Sequence, residues 1–88
     1  MDRVALVTGG GRGIGREIVL AFARQGLAVG VGGRSLDRVT ETAAEARALG
    51  ARTLALEMDV TDAEMIRAAH ARAAAELGPV DVDRKSVV

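Results

Sequence analysis

The sequence predicts an α/β fold in which an open, doubly wound parallel sheet carries helices on both faces. Three observations predict it. Across the 88 residues, short Val-rich apolar runs alternate with longer stretches of helical periodicity, the pattern of strands joined by crossover helices. The first apolar run breaks into a glycine-dense turn, Thr8-Gly9-Gly10-Gly11-Arg12-Gly13-Ile14-Gly15, which leads straight into a helix. The first strand, helix and second strand then close in about 30 residues, the size of one βαβ unit. The predicted order is βαβαβα plus the start of a fourth strand, an incomplete sheet with right-handed crossovers and strand order 3-2-1-4.

Each element has its own reason. Arg3 to Thr8 reads as a buried parallel strand, short, Val-rich and closed by glycine. From Ile14 to Gln25, the apolar residues Ile14, Ile18, Ala21 and Phe22 recur at helical spacing, opposite Arg16, Glu17 and Arg24. Gly26 ends that helix as a left-handed residue, and Leu27 to Gly33 forms the second strand. Ser35 caps the next helix. Its inward stripe is Leu36, Val39, Ala43 and Ala46, with Asp37, Arg38, Glu41, Glu45 and Arg47 facing water, and Gly50 stops it. Thr53 to Met58 alternates Leu54, Leu56 and Met58 against Thr53 and Glu57, as a strand near a sheet edge does. Thr61-Asp62-Ala63-Glu64 matches a capping box with Thr61 as N-cap. The third helix then buries Met65, Ile66, Ala69, Ala73 and Leu77 and ends at Gly78-Pro79. Val80 to Val82 begins a fourth strand.

Composition excludes several classes. Lys plus Arg and Asp plus Glu both total 12, so no net charge draws the chain to nucleic acid or to an anionic membrane. One Phe, with no Tyr or Trp, leaves no stacking platform for single-stranded nucleic acid. With no Cys there is no disulfide, thiolate catalysis or Cys-ligated zinc. No basic region precedes an apolar stretch long enough for export or membrane spanning, so a cytoplasmic location is expected. The single His70 has no partner at usable spacing and receives no role, and no metal cluster is expected.

The glycine turn carries the chemistry. A helix N-terminus presents unpaired backbone N–H groups and partial positive charge, and glycines remove the Cβ atoms that would hold a pyrophosphate away. A diphosphate is the expected guest. The spacing, T-G-x-x-x-G-I-G through Thr8, Gly9, Gly13 and Gly15, resembles the N-terminal fingerprint of the classical short-chain dehydrogenase/reductase family, especially members of the 3-oxoacyl-[acyl-carrier-protein] reductase type.

That resemblance implies a Rossmann-type fold and oxidoreduction of a carbonyl/secondary alcohol pair by hydride transfer with nicotinamide. It places cofactor contacts at Thr8, Gly9, Gly11, Arg12, Gly13, Ile14 and Gly15 in the loop, and at Arg34 and Ser35 beyond the second strand. Asp59 and Val60, after the third strand, match the family's adenine contacts; an ordinary Asx turn explains Asp59 as well. The position closing the second strand decides between cofactors, because an acid there holds the ribose 2′-hydroxyl and repels a 2′-phosphate. It is Gly33, followed by Arg34, with Arg12 as a second cation in the loop. NADP is therefore expected ahead of NAD.

The family's catalytic tyrosine and the lysine four residues beyond it are not found. There is no Tyr, and the only Lys is Lys85. Where the family's Asn-Asn-Ala-Gly segment should follow Val82, the chain reads Asp83-Arg84-Lys85-Ser86. Residues 1–82 are expected to be the N-terminal part of an NAD(P)-binding domain and 83–88 a tail outside the family pattern, in a truncated, inactive and aggregation-prone piece of an enzyme whose full-length relatives form homo-oligomers. The rival readings are a non-catalytic NADP-binding module, a methyltransferase-like nucleotide fold, against which Gly33-Arg34 speaks, and a structural piece with no ligand.

Overall fold

In a computed structural model, residues 3–11, 13–59 and 61–78 are described. They form β1 (Val4–Thr8), α1 (Gly13–Arg24), β2 (Ala28–Gly33), α2 (Leu36–Ala48), β3 (Thr53–Glu57) and α3 (Ala63–Leu77). The strands make one parallel sheet in the order β1-β2-β3. This is the 3-2-1 part of the expected order. Arg12, Val60, Pro79, the start of a fourth strand at Val80 to Val82, and residues 83–88 lie outside the described residues.

Alternation along the strands distributes the core to both faces. Val7, Val29 and Val31 project to one face, where they meet Val19, Leu20 and Ala23 of α1 and Val39, Ala43 and Ala46 of α2. Val4, Leu6, Ala28, Leu56 and Met58 face the other way onto Ala69, Ala73 and Leu77 of α3. Each large aliphatic side chain removed from water in this way contributes about 1.5–3 kcal/mol. Two helices on one face and one on the other is the doubly wound layering expected, and the strand tips are left open as the place for a ligand.

Three local expectations need correction. The periodicity predicts Ile14 on the inward stripe of the first helix, but it is 80% exposed, and α1 buries Val19, Leu20 and Ala23. Val19 and Ala23 lie one residue beyond Ile18 and Phe22, which pack at the margin of the same core, so the buried stripe is turned by about one residue step from the one that begins at Ile14. Leu36 is likewise 48% exposed, and Thr42 takes a place in the buried stripe of α2. The third helix is capped by Asp62, not Thr61: Asp62 Oδ1 accepts from the N–H groups of Glu64 and Met65 at 3.0 and 3.3 Å. Thr61 turns back to Asp59, which supplies the nearer acceptor and leaves the cap to the next residue.

The charged faces are also less uniformly solvated than their pattern suggests. Arg16 of α1 reaches across to Glu45 of α2 and also contacts Glu17. Both partners of the cross-helix pair remain more than a third exposed, so the bridge orients the helices and adds at most about 1 kcal/mol.

Candidate functional site: the strand-tip cleft

All three strands end at one rim. There, Gly10 N–H donates to the Gly32 carbonyl at 2.9 Å and Met58 N–H donates to the Gly33 carbonyl at 2.8 Å, which ties the three strand ends together. The loop after β1 needs its glycines for two different reasons. Gly9 and Gly13 have φ of +67° and +61°, where a side chain would be strained. Gly15 stands so close to the loop that a Cβ there would lie 2.0 Å from the Gly9 carbonyl oxygen. The first turn of α1 is therefore pressed onto the turn that precedes it.

Helix geometry leaves the leading N–H groups of α1 without intrahelical acceptors, and no acidic side chain lies in that first turn. The other two helices begin with a side-chain cap, Ser35 or Asp62, and an acid, Asp37 or Glu64, in the first turn.

Two adjoining cavities open along the rim. The first, of about 270 Å³, is lined by Gly9, Gly11, Gly33, Arg34, Ser35, Arg38 and Val39. The second, of about 380 Å³, is lined by Arg34, Glu57, Met58, Asp59 and Met65. Arg34 belongs to both. Its guanidinium lies 3.4 Å from Asp59 Oδ1, with the arginine side chain 74% exposed. Asp59 Oδ1 also accepts from Thr61 N–H at 2.9 Å and from the Thr61 hydroxyl at 2.7 Å. The backbone bond from Thr61, then its hydroxyl, and then the Arg34 charge hold the Asp59 carboxyl below its ordinary value.

Of the residues expected to bind a cofactor, Gly9, Gly11, Arg34 and Ser35 come together around the first cavity, and Asp59 joins the second. Thr8 ends β1 beside them, and Gly13, Ile14 and Gly15 form the first turn of α1. Arg12 and Val60 lie outside the described residues. Arg38 is exposed, as the water-facing stripe of α2 predicts, and it also lines the first cavity. The signal for it lay in the Ser35 cap, since the residue whose N–H a cap receives sits directly above the cap. Among the described residues no group of three His, Asp or Glu side chains could hold a metal ion. None of the described helices is long and apolar enough to cross a membrane.

The short chain dehydrogenase family model matches residues 3–82. Among related proteins, a probable oxidoreductase EphD of Mycobacterium tuberculosis is 42% identical over 81 residues, which cover 92% of this chain and 14% of that protein. A 3-ketoacyl-ACP reductase from Sinorhizobium meliloti superposes with a TM-score of 0.85 at 42% identity, covering 89% of this chain and 31% of that one. An alcohol dehydrogenase from Thermococcus sibiricus, complexed with 5-hydroxy-NADP, superposes at 0.86 with 35% identity over 92% of this chain and 35% of its own. The architecture is Rossmann-type α/β, and the chain belongs to the short-chain dehydrogenase family, whose members are oxidoreductases using NAD(P). It spans about a third or less of the length of these relatives.

Proposed function

We propose that this chain is the N-terminal, cofactor-binding part of an NADP(H)-dependent oxidoreductase acting on a carbonyl/secondary alcohol pair, with residues 1–82 as the domain portion and 83–88 outside it. The observation that carries this reading is the first cavity, where the glycine loop meets Arg34 and Arg38 and no carboxylate closes β2. The residues fit a dinucleotide's phosphate-bearing end. The cradle is one that a Cβ at Gly15 would fill, the leading N–H groups of α1 suit a pyrophosphate, and Gly33 leaves room beside Arg34. In this reading Thr8, Gly9, Gly11, Gly13, Ile14 and Gly15 hold the pyrophosphate side. Arg34 and Ser35, with Arg12 as a second cation, take the ribose 2′-phosphate, and Asp59 and Val60 the adenine. When bound, the cofactor supplies hydride exchange at its nicotinamide.

The relatives support the class without fixing the substrate. One solved relative is a 3-ketoacyl-ACP reductase and another holds an NADP derivative. The 88 residues contain no tyrosine to donate a proton, so the chain by itself is expected to bind and not to turn over. Two hydrogen bonds to a phosphate, at about 1.5–3 kcal/mol each, favour NADP over NAD by roughly a hundredfold or more. Calorimetric titration of the chain with NADP⁺ and NAD⁺ tests this. NADP⁺ binds more tightly, and Arg34→Asp reverses the order; equal affinities in the parent chain would refute the NADP assignment.

A second reading is a non-catalytic NADP-binding module, which the same cavity supports. Micromolar binding by the isolated chain supports it. A tyrosine-bearing continuation, Tyr-x-x-x-Lys after an Asn-Asn-Ala-Gly segment in the downstream DNA, removes it.

A further inference from the structure

Arg38 is outside the set that the glycine fingerprint selects, yet it borders the same cavity. Ser35 Oγ accepts from Arg38 N–H at 3.3 Å, which fixes Arg38 in the first turn of α2. A Cβ on Gly11 would stand 2.9 Å from the Arg38 Cβ, so the stem of this arginine leaves α2 directly against the glycine loop. Among the described residues, the two arginines that line the cavity differ in how they are engaged. Arg34 pairs with Asp59 on the β3 side. Among the described residues Arg38 has no ion pair, and no carboxylate is among the described residues that line the 270 Å³ cavity. Two like charges beside one small cavity repel each other until an anion joins them.

Resting on the cofactor reading above, we propose that Arg38 is a specificity-determining residue for the 2′-phosphate of NADP(H), a further cation, from α2, that acts with the Asp59-tethered Arg34. The two are not equivalent, because part of the Arg34 charge is already answered by a carboxylate. Of the two described arginines that border the cavity, Arg38 is the one without a carboxylate partner, so its removal should be felt by the extra phosphate and not by the rest of the nucleotide.

The test titrates the 88-residue chain with adenosine 2′,5′-bisphosphate and adenosine 5′-monophosphate, two probes that differ only in the 2′-phosphate. The parent chain binds the bisphosphate more tightly. Arg38→Gln weakens the bisphosphate about tenfold and leaves the monophosphate unchanged. Arg38→Lys, which keeps the charge, recovers part of the loss. Arg67→Gln, an exposed α3 arginine outside both cavities, changes neither. Circular dichroism spectra of the variants match the parent, since Arg38 is exposed and packs no core. A bisphosphate affinity untouched by Arg38→Gln, or an equal loss for both probes, overturns the role of Arg38 while the cofactor reading stands. A parent chain that does not distinguish the probes overturns both.

Discussion

At Gly15 one methyl group decides whether loop and helix can meet. Alanine in an exposed helical turn ordinarily gains about 1 kcal/mol over glycine. Here the added carbon would meet the Gly9 carbonyl oxygen at 2.0 Å and its carbonyl carbon at 2.7 Å. Both neighbours are backbone, so no rotamer change relieves the contact, and the overpacking term wins. Gly15→Ala is expected to lose about 3 kcal/mol in urea unfolding and to lose NADP⁺ affinity with it. An unchanged midpoint would mean that the loop moves aside freely. This residue was legible because glycine spacing reports directly on backbone approach. Arg38 and Ile14 were not. Side-chain periodicity assigns a face but not what stands opposite that face: Ile14 is left exposed, and Arg38 borders the first cavity.

Between β3 and α3 a single junction divides its acceptors between two carboxylates. Asp59 takes the N–H and hydroxyl of Thr61, while Asp62 takes the leading amides of α3. Asp62→Ala is therefore expected to cost about 1 kcal/mol in thermal or chemical unfolding, the usual loss for an N-cap, and Thr61→Ala clearly less. A larger loss for Thr61 would restore the capping box read from the sequence. That reading failed because the motif S/T-x-x-E/Q also fits a chain in which an Asp next to the Thr competes for the same amides. Asp59 adds a pH dependence whose sign is fixed. Its carboxyl is held below the ordinary value in the folded chain, so the bonds to Thr61 and Arg34 stabilise the fold above that ordinary value. The contribution fades as pH falls through the lowered value. Acid unfolding curves should show the parent losing more stability than Asp59→Asn below about pH 4, with the two converging at the acid end. Parallel curves would remove Asp59 from the account.

At the scale of the molecule, the layering was legible because it follows from element order. Val-rich strands alternating with one-sided helices admit few packings, and right-handed crossovers leave α1 and α2 on one face and α3 on the other. What element order could not supply is the use made of the rim, since cavities and charge pairs arise from residues far apart in the chain, such as Arg34 and Asp59. The same layering has a consequence for association. β2 is paired on both sides, whereas β1 pairs with β2 alone among the described residues. Yet β1 is the more deeply buried outer strand, with Val4, Ala5, Leu6 and Val7 all at 1% exposure or less, while β3 shows the half-exposed pattern of a true sheet edge. A strand whose side chains are buried on both faces and whose backbone has one strand neighbour among the described residues is a template for pairing with another chain. Sedimentation velocity of the 88-residue chain should give a weight-average mass that rises with concentration above that of the monomer. NADP⁺, which in the proposed reading binds at the strand tips and not along the β1 edge, should leave the rise in place. A monomer at every concentration would show that the β1 edge is already satisfied within the chain.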